Sequence, residues 1–317
     1  MASPLLRLGT RGSALALAQA AEVRARLAAA QPELAAPDAI EIVPIRTSGD
    51  RQWQAAPGAA GNKGLFTKEI EEALLRGAVD IAVHSLKDLP TLLPEGLRIA
   101  CHLPREDPRD ALIAGAGVRG LADLPQGATV GTSSVRRRAQ LLHARPDLRI
   151  IEFRGNVDTR LEKVAAGAVD AAVLAVAGLI RLGRAERITA ILTPQEMLPA
   201  AAQGAIAIET RADDDATAAR LAPLNDAVTG CCVTAERALL AALDGSCRTP
   251  IAALAQLLGK TLVLEAMILR PDGSARFCVE RRGDADAAAA LGRDAGDELR
   301  ARAGADLLAF AVLDGAP

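Results

Sequence analysis

Ala128-Thr129-Val130-Gly131-Thr132-Ser133-Ser134-Val135-Arg136-Arg137-Arg138-Ala139-Gln140-Leu141-Leu142-His143-Ala144 passes from a short β-rich run to a helical pattern through four small residues. The pattern predicts a strand over 128–131 and a helix over 134–144, joined by a turn whose N–H groups can cradle an anion. The same unit repeats downstream, with a strand at 148–153, a helix at 157–166 and a strand at 171–175. It also occurs upstream. Leu5 to Thr10 reads as a strand and Ser13 to Ala30 as an Ala/Leu-rich helix capped by Ser13. Ile40 to Arg46 reads as a strand, Leu65 to Arg76 as a helix closed by Gly77, and Val79 to Val83 as a buried strand. Strands alternating with helices predict βαβ units and parallel sheet, so the fold class is α/β.

Outward from these units, Pro104-Arg105-Glu106-Asp107-Pro108-Arg109-Asp110 reads as a linker. Pro194 and Pro199 mark a second connection, after which Gly204 to Glu209 offers a strand that can return to the first sheet. The last third differs. A long helix over 226–243 precedes a hairpin signature, Leu262 to Leu269 and Ala275 to Glu280 around Pro271-Asp272-Gly273, and a closing helix over 284–302. The expected domains are 1–103 with the return segment 204–222, then 109–198, then a smaller α+β domain over 226–317.

The chain has 317 residues, a net charge of −2 and 50% apolar residues, an ordinary globular composition and too long for one average domain. It lacks the basic excess of a nucleic-acid binder. Its longest apolar run, Ala171 to Ile180, is too short to span a membrane. No secretory signal is evident at the N-terminus, and five cysteines without a CxxC motif read as reduced cytoplasmic thiols. Three histidines and no HExxH motif argue against a metal site. Gly115-Ala116-Gly117-Val118-Arg119-Gly120 matches a dinucleotide fingerprint in letters only. Pro125 interrupts the helix that should follow, and no acid lies between Asp123 and Asp147 to hold a ribose. One Trp, four Phe and no Tyr leave few aromatic platforms.

Three patterns carry chemistry. Between Thr132 and Lys163 there are eight Arg or Lys against four Asp or Glu, so this stretch is +4 and the remainder −6. Arg136 and Arg137 lie in the first turn of a helix, where cations oppose the macrodipole. Arg154 and Arg160 flank the next strand-to-helix junction, and Arg7 and Arg11 flank the first. Arg at three such junctions points to a cleft for several carboxylates or phosphates, solvated helix faces being the plainer alternative. Val83-His84-Ser85-Leu86-Lys87-Asp88-Leu89-Pro90 follows a buried strand, and there an ionised Asp88 would meet hydrogen-bond donors or a positive intermediate unless it merely pairs with Lys87. In Asp244-Gly245-Ser246-Cys247-Arg248-Thr249-Pro250 a loop cysteine lies beside a cation, which favours thiolate and makes Cys247 a candidate nucleophile or attachment point.

Taken in order, Leu8-Gly9-Thr10-Arg11-Gly12-Ser13, Gly61-Asn62-Lys63-Gly64-Leu65-Phe66, His84 to Pro90, Arg105 to Asp110, Gly131 to Arg137, Arg154 to Arg160 and Gln203-Gly204-Ala205 resemble the porphobilinogen deaminase (hydroxymethylbilane synthase) family, from about Leu5 to the C-terminus. The resemblance implies two periplasmic-binding-protein-like domains with a cleft between them, plus the smaller third domain. It implies a transferase of tetrapyrrole (heme) biosynthesis that condenses four porphobilinogen molecules head to tail, losing ammonia each time, and releases hydroxymethylbilane. A dipyrromethane cofactor is then expected in thioether linkage to Cys247, and Asp88 as the catalytic carboxylate. Arg11, Ser13, Lys87, Thr132, Ser134, Arg136, Arg137, Arg154 and Arg160 match positions that bind acetate and propionate groups. Lys63 and Phe66 fall in a mobile loop over the site, and Ser85 and Gln203 at the cleft or hinge. The family further implies a cytoplasmic monomer with porphobilinogen as substrate and no nucleic-acid, membrane or metal partner.

Two positions depart from the family pattern: Ser246 replaces the second glycine before the cofactor cysteine, and Asn62 replaces a common glycine of the mobile loop. Two rival classes remain. A non-enzymatic anion receptor of the two-lobed binding-protein class explains the βα alternation and the Arg clusters but not a third domain with a loop cysteine. A thiol hydrolase needs a histidine near Cys247, and none lies close in sequence.

Overall fold

A computed structural model describes residues 4–50, 66–243 and 249–313, with side chains described through 304. The chain divides into two compact units. The first takes the described residues up to Arg105 together with Ala205–Gly230, and the second takes Glu106–Gly204 together with the chain from Cys231 onward.

In the first unit, β1 (Leu6–Arg11), α1 (Ala14–Ala30), β2 (Ile40–Ile45), α2 (Lys68–Leu75), β3 (Ile81–Ser85) and β4 (Leu97–His102) are completed by β10 (Ile206–Arg211) and α6 (Asp215–Leu221). The sheet order is β2-β1-β3-β10-β4. β1 runs parallel to β2 and β3, while β10 lies antiparallel between β3 and β4. The return strand expected at 204–209 therefore forms, shifted by two residues. Helix α1 buries Ala16, Ala20, Val23 and Leu27, a stripe of period 3.6, of which Ala20, Val23 and Leu27 share a core with Leu8, Ile81, Val83, Ile206 and Ile208. Helix α2 covers the opposite face with Ile70, Ala73 and Leu74 over Ala82 and Val79.

The second unit contains β5 (Asp110–Ala114), β6 (Thr129–Gly131), α3 (Val135–Ala144), β7 (Arg149–Ile151), α4 (Val157–Ala165), β8 (Ala171–Ala175), α5 (Val176–Arg181) and β9 (Ala190–Ile191). Its sheet order, β7-β6-β8-β5-β9, follows the plan of the first: three parallel strands, then one antiparallel strand and an edge. One correction falls here. The stretch read as a linker ends in β5, and Asp110 at its start is fully buried. The GxGxxG look-alike is irregular chain, as expected of a loop.

The same unit holds most of α7 (Ala227–Ala242), then β11 (Ile251–Leu258), β12 (Thr261–Leu269), β13 (Arg276–Asp284) and α8 (Ala288–Leu313). The three strands form an antiparallel sheet in chain order. The hairpin forms as read, but β11 was not foreseen. Small residues let α7 and α8 approach closely. A Cβ on Gly292 would lie only 2.1 Å from the Ala235 carbonyl oxygen, and one on Gly296 2.6 Å from Ala242 Cβ. The alanine-rich composition is thus used where two helices meet.

Candidate functional site

In the first unit, Arg11, Ser13, Gln19, Phe66, Thr67, His84, Ser85 and Asp88 line one cavity at the carboxyl ends of β1 and β3. Open α/β sheets place ligands at this edge. Arg11 is the last residue of β1, and Ser13 caps α1 by accepting the Ala16 N–H at 3.3 Å. The Arg11 guanidinium lies 4.2 Å from the centroid of the Phe66 ring and donates to Asp50 Oδ1 at 2.5 Å. Burial pushes the Asp50 carboxyl up, but hydrogen bonds from Arg11 and Thr47 outweigh it and hold the group below its usual range. Gln19 and Ser85 bond reciprocally, the amide donating at 2.9 Å and the hydroxyl at 3.0 Å. Asp88 closes a single helical turn after β3 and is exposed. Its carboxylate has no hydrogen bond or ion pair among the described residues, so the loop salt bridge with Lys87 is not formed.

In the second unit the hydroxyls at the β6–α3 junction are used locally. Ser134 N donates to Thr132 Oγ1 at 3.2 Å, and Ser134 Oγ caps α3 by accepting from Arg137 N at 3.4 Å. Each hydroxyl keeps its own proton for a ligand. Gly131 is fixed by close approach, because a Cβ there would stand 2.5 Å from the Phe153 ring. The first-turn cations have partners of their own. Arg136 Nη1 lies 2.8 Å from Asp110 Oδ2, and Arg137 Nη2 lies 2.7 Å from Asp110 Oδ1, with the three side chains at most 8% exposed. Burial pushes the Asp110 carboxyl up, but the two guanidiniums outweigh it and hold it well below the carboxylate range. The macrodipole argument for a ligand at Arg136 and Arg137 therefore has an internal answer: a buried carboxylate balances them. Arg154 pairs with Glu152 at 2.6 Å on a half-exposed face.

Arg160 differs. It makes no ion pair among the described residues, its Nε is buried without a hydrogen-bond partner, and burial pulls its guanidinium down to about 10, with the Arg137 charge adding to the effect. Gln203 Nε2 donates to the Pro108 carbonyl at 2.7 Å and to Asp110 Oδ1 at 3.0 Å, tying the connection after β9 to the start of β5. Lys63 and Cys247, with Asn62 and Ser246, lie outside the described residues. Sequence reasoning missed Gln19, Asp50 and Asp110. Gln19 carried a signal, being an amide within the otherwise apolar stripe of α1.

Acid, hydroxyl and guanidinium groups at a sheet's carboxyl edge, with a half-buried cation that lacks an ion pair among the described residues, mark a ligand-binding α/β enzyme of the class that takes small carboxylates. Two family models match the chain: the dipyromethane cofactor binding domain of porphobilinogen deaminase over residues 6–219 and its C-terminal domain over 231–301. A porphobilinogen deaminase of Paracoccus denitrificans is 57% identical over 95% of both chains. The chloroplastic one of Oryza sativa is 50% identical over 95% of this chain and 84% of that one. A periplasmic binding protein of Salmonella typhimurium, 12% identical, covers 71% of this chain and 93% of that one at a TM-score of 0.35. That leaves the fold resting on the strand orders given above. The chain belongs to the porphobilinogen deaminase family, enzymes of tetrapyrrole biosynthesis with hydroxymethylbilane synthase activity.

Proposed function

We propose that the cavity of the first unit is where porphobilinogen reacts, and that Asp88 is its catalytic carboxylate. One observation carries this reading. Asp88 is exposed at the cavity edge, unpaired among the described residues, with Arg11 and Ser13 in the same wall. Each porphobilinogen brings two carboxylates and an aminomethyl group. Arg11, stacked on Phe66, exchanges Asp50 for a substrate carboxylate, and Ser13 donates its hydroxyl. Asp88 accepts the pyrrole N–H and stabilises the positive charge that develops as ammonia departs.

The residues of the second unit fit a polycarboxylate such as dipyrromethane. Arg160 is a half-buried cation without an ion pair among the described residues, and the junction hydroxyls of Thr132 and Ser134 retain protons to donate. Arg154 supports it by exchanging Glu152, with Lys87 a further cation beside Asp88. Arg136 and Arg137 contribute chiefly by holding α3 in place through Asp110. When bound, the cofactor supplies an anchored pyrrole carbon as nucleophile, so that each addition is intramolecular in effect. Cys247 is the attachment point in this reading, carried by the domain over 226–317, and Gln203 holds the connection near Asp110. Four condensations yield hydroxymethylbilane, and we read the enzyme as a cytoplasmic monomer. No helix among the described residues is long and apolar enough to cross a membrane.

Intact mass of the purified protein tests the cofactor. The expected excess equals two linked pyrrole units and disappears in Cys247→Ser. An active wild type without that excess overturns the reading.

A further inference from the structure

A second group of ionisable residues lies behind the cavity, and the function just proposed does not use it. His84 of β3 pairs in register with Ala207 of β10, which places Glu209 diagonally beside it on the face covered by α2. His84 Nε2 stands 3.2 Å from Glu209 Oε2, with side-chain exposures of 4% and 0%. Neither Glu209 oxygen has a hydrogen-bond partner among the described residues, so the imidazole is its nearest compensation. Glu71 of α2 joins the group from the helix side. Burial pushes its carboxyl up, and the charge of Glu209 adds to the effect, against a hydrogen bond with Thr67. A fully buried carboxylate beside an imidazole is a costly arrangement unless a proton is held between them.

This cluster reaches the cavity, because His84 and Thr67 are part of its lining together with Arg11 and Asp88. Among the described residues, the charged groups around His84 are Glu209 from β10, Glu71 from α2, Arg11 from β1 and Asp88 after β3. Each condensation of porphobilinogen forms one carbon–carbon bond. It breaks the aminomethyl carbon–nitrogen bond, the nitrogen leaving as ammonia with its electron pair. It also breaks a pyrrole α-carbon–hydrogen bond, whose electrons restore the aromatic ring and whose proton must pass to a base. We propose that the His84–Glu209 pair is that base. Neutral His84 takes the proton and Glu209 stabilises the imidazolium, as a buried carboxylate does for a histidine base in other enzymes. Ammonia or solvent then carries the proton away, and the pair is ready for the next addition.

This inference rests on the cavity being the reacting site, and the test separates the two. Wild-type holoenzyme that fails to turn over porphobilinogen overturns the site reading and this proposal with it. With active wild type, His84→Gln is expected to lower kcat about 100-fold with KM little changed. It is also expected to remove one ionisation from the pH profile of kcat and to raise the isotope effect with porphobilinogen deuterated at its free α-carbon. Glu209→Gln is expected to shift that ionisation. A His84→Gln enzyme with wild-type kcat, pH profile and isotope effect overturns the proposal. Should that variant not fold, the wild type decides. The chain has three histidines, so 15N-histidine NMR, with His102→Gln and His143→Gln identifying their own signals, isolates His84. Titration in step with kcat supports the assignment, and a ring that keeps one protonation state across the profile overturns it.

Discussion

Gln203 donates through its side-chain amide to Asp110 Oδ1 at 3.0 Å, the same oxygen that receives Arg137 Nη2 at 2.7 Å. A glutamine late in the second connection and two arginines of α3 thus converge on one buried carboxylate at the start of β5. Asp110→Asn removes the charge that, among the described residues, balances Arg136 and Arg137. The expected loss is about 3–5 kcal/mol in urea unfolding, the usual cost of breaking a buried pair from one side.

The same carboxylate sets an acid dependence. Its folded value lies below the ordinary one, so its stabilisation is fully present above the unfolded value of about 4 and is lost as pH falls towards the folded value. The difference in stability between wild type and Asp110→Asn should stay level from neutrality to about pH 5 and shrink at lower pH. Denaturant midpoints measured across that range check it, and a difference that widens on acidification contradicts it.

Gly131→Ala places a methyl group where the Phe153 ring stands, at 2.5 Å. Phe153 is 4% exposed and part of a packed core, so the ring has little room to yield. The expected cost is about 1–3 kcal/mol. Phe153→Leu in the same chain should recover part of it, a coupling that a double-mutant cycle reads directly.

Arg160→Leu and Arg137→Leu should behave oppositely in stability. Losing Arg137 leaves Asp110 short of a partner, whereas Arg160 is a half-buried cation, its Nε buried, without an ion pair among the described residues. Thermal unfolding is expected to show Arg137→Leu clearly destabilised and Arg160→Leu unchanged or up to about 1 kcal/mol more stable. Turnover of porphobilinogen should nevertheless fall at least about tenfold in Arg160→Leu.

Asp88→Asn keeps the shape of an exposed side chain that makes no hydrogen bond or ion pair among the described residues. Its melting temperature should match that of the wild type, while kcat falls by about 100-fold or more, since a neutral amide cannot stabilise developing positive charge. Near-normal turnover would remove Asp88 from its assigned role.

Much of this was legible in the residues. The small polar junction 131–134, the cap Ser13 and the return strand after Gly204 all carry local signals that the packing respects. Four strands were missed, β9 because it is only two residues long and the other three for local reasons. β4 mixes apolar residues with Arg98 and His102, β5 opens on a charged residue after a proline-rich run, and β11 is mostly alanine and leucine with a single β-branched residue. The pairing of Arg136 and Arg137 with a buried carboxylate was illegible for a different reason. Their counter-ion lies more than twenty residues earlier in the chain, and only the pairing of β5 with β8 brings it under α3.

The position of β10 between β3 and β4 also bears on how the protein is made. As the chain leaves the ribosome, β5 to β9 are all present before β10 is synthesised. The second sheet can therefore close early. The first must wait, its β3 edge open and β4 without a neighbour, until a strand more than a hundred residues downstream arrives. During that interval an unpaired, largely apolar edge is available to other chains. Slowing translation just after residue 204 should thus raise the yield of aggregated nascent chains, with β3 as the exposed segment.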